Sequence, residues 1–227
     1  YVSLLLLPPL LWLGTVYLAS LFALLMQSFY AIDEFTARIV PEFTLKTYGQ
    51  LFTQPANVDI VLRTVLMALA VTVAAIVVAF PLANYMARHA GPKMKALFYV
   101  GVMLPMWTSY LVKVYAWRLI LAKQGIASWG FEHLGLMGAL DQALEIPVVG
   151  GPSLASSYIG MFVVFVYMWL PFMILPLAAA LERVPASLLQ ASADLGAQPG
   201  QTFRNVVLPL ALPGLAAGSI FTFSLTL

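Results

Sequence analysis

"TVLMALAVTVAAIVVAFPLANYMA", Thr64–Ala87, runs for 24 residues without one acidic or basic side chain. At about 1.5 Å of rise per residue, a helix of that length crosses the roughly 30 Å hydrocarbon core of a bilayer. Outward from it, further charge-free intervals occupy Tyr1–Ile32, Ala96–Val112, Ile146–Leu181 and Asn205–Leu227. The interval at Ala96 is short, but its apolar pattern continues through Lys113 and Arg118 to about Ala122, so it counts as a span. The pattern therefore predicts five transmembrane helices in an all-α polytopic bundle. A closed barrel would instead show segments of about ten residues with alternating polarity, and none is present.

Composition agrees: 62% of residues are hydrophobic, 9% are charged, and mean hydropathy is +0.94. Ordinary soluble domains carry about 25% charged residues. The absence of Cys removes disulfides, thiol catalysis and Cys-ligated metals. A net charge of +2 is too mild to argue for a nucleic-acid partner. The chain begins without Met and its last apolar run reaches Leu227, so both ends read as trimmed and a sixth span is expected in the full-length chain. The first span lacks a charged start and a small-residue cleavage pattern, and reads as retained rather than as a signal peptide.

Orientation follows from Lys and Arg density in short loops. "RHAGPKMK" packs Arg88, Lys93 and Lys95 together with no acid, which predicts a cytoplasmic loop. By alternation the stretches around 33–59 and 123–145 lie outside. Their charges (Asp33, Glu34, Arg38, Glu42, Lys46, Lys123, Glu132, Asp141 and Glu145) read as solvated loops with helical pieces at the membrane surface, or as a landing surface for an extracytoplasmic partner.

The same alternation places "QASADLGAQPGQTFRNVVLPLALPG", Gln190–Gly214, on the cytoplasmic side. Ser187-Leu188-Leu189-Gln190 has the form of a capping box, predicting a short helix that starts there. Leu188, Leu189, Ser192 and Leu195 are expected along one side, with Gln190 and Asp194 elsewhere. Gly196 suits the left-handed residue that closes a helix, and Pro199 suits the first turn of the next. The second short helix is expected to run into the fifth span. Such a unit either lays one face into a groove on another protein or seals a loop against headgroups.

These residues resemble the EAA loop of the membrane subunits of ATP-binding-cassette importers, a pattern of E-A-A, three residues, G, nine residues, then I-x-L-P. Gln190-Ala191-Ser192 stands for E-A-A, Gly196 for the Gly, and Val206-x-Leu208-Pro209 for I-x-L-P, with both spacings intact. Gln190 is expected to keep the capping geometry of the family's Glu while dropping its negative charge. The resemblance implies one transmembrane permease domain over 1–227, with 182–205 its cytoplasmic coupling loop. In that loop Ser187, Leu188, Leu189, Gln190, Ala191, Ser192, Asp194, Leu195, Gly196 and Pro199 would dock on an ATPase.

The third span, "LPMWTSYLVKVYAWRLILAKQG", concentrates polar and aromatic side chains. Pro105 removes a backbone N–H and is expected to kink it. Lys113 near the bilayer centre must face protein or water, marking a pathway or pairing with a carbonyl; Arg118 can snorkel to the outer end. The candidate substrate pathway comprises Trp107, Thr108, Ser109, Tyr110, Lys113, Tyr115 and Trp117, with Tyr167 and Trp169 of the fourth span. Pro171 and Pro176 are expected to bend or break that span.

The run P-x-W-T-S-x-L-x-K-x-Y-A-W resembles the spermidine/putrescine importer permeases. That resemblance implies a multi-pass protein of the bacterial inner membrane, alternating access, and a polyamine or similar small organic cation as substrate. It also implies a second permease subunit, identical or homologous, an extracytoplasmic binding protein, and ATPase subunits that carry the ATP and Mg. No cofactor is expected on this chain. The spans contain no Asp or Glu to receive such a cation, so acids would come from partners, or the substrate differs.

The alternative is a channel or secondary transporter driven by an ion gradient, which usually places ionisable groups at the midplane of paired repeats; neither feature is evident. An embedded enzyme is disfavoured because His89 and His133 are assigned to opposite sides, and no H-E-x-x-H, G-x-S-x-G or P-loop occurs.

Overall fold

The computed structural model describes residues 2–32 and 39–227. Asp33, Glu34 and Arg38, which figure in the loop assignment, lie outside the described residues. The chain divides into two compact units, Tyr1–Arg63 and Thr64–Leu227.

In the first unit, α1 (Val2–Trp12) passes through a π-helical stretch, Leu13–Leu18, into α2 (Ala19–Gln27). Its apolar part, Leu6–Gln27, is long enough to span a membrane. An antiparallel ribbon follows, β1 (Tyr30–Ile32) against β2 (Ile39–Phe43), which the charge pattern did not predict. Tyr30 pairs with Phe43 but Ala31 pairs with Val40, so the register slips where Pro41 cannot donate to the ladder. The edge-to-face contact of Tyr30 and Phe43, centroids 5.5 Å apart, closes the ribbon. Helix α3 (Lys46–Thr53) is tied back by Tyr48, whose hydroxyl lies 2.6 Å from the Ser28 hydroxyl.

Helix α4 (Pro55–Arg88) contains the opening apolar run, and its first turns carry the Asp59–Arg63 ion pair at 2.7 Å. In the second unit follow α5 (Pro92–Trp107), α6 (Tyr110–Ile120), α7 (Ile126–His133) and α8 (Met137–Leu144). After a 3₁₀ turn at Leu154–Ser156, α9 (Tyr158–Glu182) begins with a cap in which Gly160 donates its N–H to the Ser157 hydroxyl. Next are α10 (Ala186–Asp194) and α11 (Pro199–Thr202), which continues through a π-helical stretch at Phe203–Val207 into α12 (Leu208–Thr226).

Four of these stretches are continuous, apolar and long enough to cross a membrane: Leu6–Gln27, Pro55–Arg88, Tyr158–Glu182 and Pro199–Thr226. A fifth is broken, since α5 and α6 meet at 96°. The break is not at Pro105, which sits inside α5, but at Thr108 and Ser109, both extended. Pro171 and Pro176 do not break α9 either, which runs unbroken from Tyr158 to Glu182. Proline is tolerated inside a membrane helix because neighbours and local adjustments satisfy the freed carbonyl.

The core of the second unit is built from small residues. Ala75, Ala79 and Ala83 line one face of α4 at helical spacing, in one cluster with Met173, Leu177 and Leu181 of α9, Val207 at the end of the π-helical stretch and Ala211 of α12. Between antiparallel α9 and α12 the backbones nearly touch. A Cβ on Gly214 would lie 2.5 Å from both the Pro176 carbonyl oxygen and Ala180 Cβ, and one on Gly218 would lie 2.8 Å from the Met173 sulfur. Small residues at such positions drive association in lipid, where burial alone gives no gain.

Replacing Gly214 by Val is therefore expected to overpack this contact at a cost of about 1–3 kcal/mol. Thermal unfolding of the full-length protein in detergent should show the midpoint falling by several degrees, whereas Gly101→Ala, which faces open space, should leave it unchanged.

Candidate functional site

Two regions carry polar chemistry beyond what packing requires: the insert between α9 and α12, and the elbow between α5 and α6.

In the insert, α10 starts one residue before Ser187, at Ala186, with Pro185 as the cap and no side-chain cap bond. The capping box predicted at Ser187–Gln190 is absent, because the fixed φ of Pro185 starts the helix earlier and leaves Ser187 inside it. A capping box does form further on, at the start of α11: Gln198 donates its N–H to Gln201 Oε1 at 2.9 Å, and the Gln198 side chain answers from the other end. The signal is a Q-x-x-Q spacing, easily passed over because Gln is an unusual cap. Pro199 occupies the first turn of α11, as expected.

Gly196 has φ +75°, the left-handed conformation predicted for it. The Ala197 N–H reaches the Ser192 carbonyl at 3.1 Å and the Gly196 N–H reaches Ala193 at 2.9 Å, the pair of bonds that defines a Schellman motif. The corner is fixed a second time by side chains, since the Ser192 and Thr202 hydroxyls lie 2.8 Å apart.

The faces of α10 differ from the expected grouping. Leu189 is half-buried and packs on the α4–α9–α12 core, and Ser192 turns inward to Thr202. Leu188 and Leu195 point the other way, with Leu195 88% exposed. Together with Ala191 they form an outward apolar strip at i, i+3 and i+7, flanked by exposed Gln190 and Asp194.

Glu182 was not among the sequence candidates. It ends α9, and its Oε1 accepts the Lys95 ammonium at 2.9 Å and the Tyr99 hydroxyl at 2.7 Å, both from α5. An isolated acid closing an apolar span, with Lys and Tyr one helical turn apart on another, is the signal that could have found it.

At the elbow, the extended Thr108 and Ser109 strip the last carbonyls of α5 of helical partners. Thr108 Oγ1 reaches the Leu104 carbonyl at 3.3 Å, and the Lys113 ammonium donates to the Pro105 carbonyl at 3.0 Å. Of the two roles left open for Lys113, this geometry fits pairing with a carbonyl: a cation at a helix C-terminus, where the dipole favours it.

The structure does not gather the nine pathway candidates. Trp117 and Tyr167 meet edge-to-face at 5.0 Å. Trp107, Tyr110 and Tyr115 are exposed and make no ring contact among the described residues. A cavity of about 440 Å³ beside α6 and α9 takes in Trp117, with Arg118, Tyr158 and Phe165 also in its wall. Its wall holds a cation and no carboxylate, so it cannot by itself neutralise a polycation.

Deeper in the bundle, the Trp169 indole N–H and the Thr222 hydroxyl are both buried without a hydrogen-bond partner among the described residues.

Spanning helices, an elbowed span and a polar two-helix insert define a polytopic membrane permease subunit. Residues 75–227 match the family described as binding-protein-dependent transport system inner membrane component, and the chain belongs to that family. It is 63% identical over 224 residues to the inner membrane ABC transporter permease protein YdcU of Escherichia coli K12, covering 99% of this chain and 71% of that protein. It is 33% identical over 178 residues to the spermidine/putrescine transport system permease protein PotB of Salmonella typhimurium SL1344, covering 78% of this chain and 58% of PotB. Over 183 residues it is 28% identical to the molybdenum transport system permease protein ModB of Mycobacterium bovis, covering 79% of this chain and 62% of ModB. The protein is thus a multi-pass inner-membrane transport subunit rather than an enzyme.

If Lys113 caps the broken helix, Lys113→Met should orphan the Pro105 carbonyl at a cost of about 1–3 kcal/mol, and Lys113→Arg should restore most of it. Thermal unfolding in detergent measures both, and a Met variant as stable as the parent would remove the capping role.

Proposed function

We propose that this chain forms half of the substrate pathway of an ATP-driven importer and takes its power stroke from a cytoplasmic ATPase through α10. The observation that carries this reading is the outward strip Leu188, Ala191 and Leu195 on a helix whose opposite face is anchored by Leu189. A helix held on one side and apolar on the other suits a groove in a second protein. The Schellman corner at Gly196 and the Ser192–Thr202 pair hold that helix at a fixed angle to α12, so a push on it is carried into the spans rather than absorbed in the loop. The density of Lys and Arg at Arg88, Lys93 and Lys95 favours the cytoplasm for this side.

ATP and Mg belong on the partner ATPase, and an extracytoplasmic binding protein and a second permease subunit complete the assembly. The substrate that fits best is a polyamine or similar small organic cation, on the likeness to PotB and on the aromatic side chains at the elbow and at Trp117–Tyr167, whose faces attract cations. With no carboxylate in the α6–α9 cavity, the acids that such a cation needs come from the partners.

The test is purification of the full-length native protein from detergent-solubilised membranes, with copurifying chains identified by mass spectrometry. An ATPase should be recovered with the parent. Leu195→Glu should reduce its recovery about tenfold, taking a rim-to-core loss near 1.4 kcal/mol as the scale. Gly196→Val, strained at positive φ, should lower recovery while membrane insertion is kept. A parent that purifies with no ATPase would sink the reading. Uptake of radiolabelled putrescine and spermidine by vesicles carrying the whole assembly tests the substrate, with molybdate uptake as the result that would replace it.

A further inference from the structure

Glu182 holds the end of α9 to α5 at a place the proposed transport cycle must move. One carboxylate oxygen takes both donors, Lys95 Nζ at 2.9 Å and Tyr99 Oη at 2.7 Å. Charge-assisted bonds of this kind are roughly twice as strong as neutral ones. The linker from Glu182 to α10 is only Arg183–Pro185, and it has no slack: the Arg183 N–H bonds Ala180, the Val184 N–H bonds Leu181, and the Leu188 N–H bonds Pro185. On its other side α10 seats Leu189 in the core cluster to which Phe98 and Tyr99 of α5 also belong. A displacement of α10 therefore reaches α5 directly through the Glu182 clamp, and otherwise only by way of the core on which Leu189, Phe98 and Tyr99 all pack. The far end of α5 is the 96° elbow at Thr108–Ser109, where the backbone is already extended and where Trp107 and Tyr110 stand.

We propose that Glu182 is a positioning residue for coupling: by clamping Lys95 and Tyr99 it makes α5 a lever that carries movement of α10 to the elbow of the third span. This rests on the importer reading. The clamp predicts that the α5–α6 angle responds to nucleotide, and that the response needs the carboxylate charge rather than merely a side chain of that size.

The 227 residues contain no Cys, so paired labels can be introduced without background from them. Nitroxides at Leu104→Cys and Leu119→Cys, both exposed and on opposite arms of the elbow, report its opening by pulsed electron resonance. The sample is the full-length chain assembled with its ATPase in lipid nanodiscs, with and without Mg-ATP and vanadate. In the parent the interspin distance should change with nucleotide. In Glu182→Gln the change should be largely lost, with ATPase recovery unchanged. The charge-reversed pair Lys95→Glu with Glu182→Lys should restore it.

A response of parental size in Glu182→Gln, a parent elbow that ignores nucleotide, or no rescue by the reversed pair would each overturn the inference. Should Glu182→Gln not assemble, Lys95→Met reads the same clamp from its other side with the same expected loss. If no ATPase assembles with the parent at all, it is the importer reading that fails, which the recovery assay records separately.

Discussion

A polypeptide in hydrocarbon must satisfy its own backbone, since an unpaired N–H or C=O there costs several kcal/mol. Most of the described spans meet this by staying helical through their prolines. Where the chain departs from helix, a side chain or a backbone N–H beyond the break takes over. At the elbow Thr108 and Lys113 serve the carbonyls of Leu104 and Pro105; at the corner of the insert the Schellman bonds serve Ser192 and Ala193. The two breaks are thus built features, each with its own donors.

The second constraint is closeness. In lipid the exposed alternative for an apolar side chain is as apolar as the core, so helices hold together by contact rather than by escape from water. The glycines of α12 let it meet α9 with almost no intervening side chain, and the alanines of α4 pack into the same core. A contact of that kind slides poorly, because a shift of one residue brings a side chain against the Pro176 carbonyl or Met173. The α4–α9–α12 core is better suited to moving as a body, with α5 tied to it by the packing of Phe98, Tyr99 and Val102 and, at one end, by the polar bonds of Glu182.

How much of this could be read from residues alone varies with the physics involved. Charge-free runs locate the spans because bilayer thickness sets length and polarity together. Gly196 is legible because few residues tolerate φ +75° at a helix end. The prolines mislead, since Pro105, Pro171 and Pro176 all lie inside helices and the real break falls at Thr108–Ser109, residues with no strong breaking tendency of their own. Ser187 misleads for a related reason: a capping pattern shows what a side chain can do, and Pro185 decides where the helix starts. The ribbon at Tyr30–Phe43 and the Glu182 clamp depend on segments meeting, Lys95 and Glu182 from a distance above all; an isolated acid at the end of an apolar span marks Glu182 as a candidate, but its partners follow only from the fold.

Coupling by such a molecule is limited by differences between states, because a ligand shifts an equilibrium only by its differential affinity for the two. An ATPase that bound α10 equally well in both conformations would do nothing, however tightly it held Leu188 and Leu195. Stiffness is what turns binding into work: a corner that yielded at Gly196, or a linker that stretched at Arg183–Pro185, would let α10 follow the ATPase while the spans stayed put. Both places are bonded against that freedom, the corner by backbone and by Ser192–Thr202, the linker by consecutive turns. The elbow at Thr108–Ser109 is held differently, by a cation on a carbonyl, Lys113 on Pro105, rather than by consecutive backbone turns.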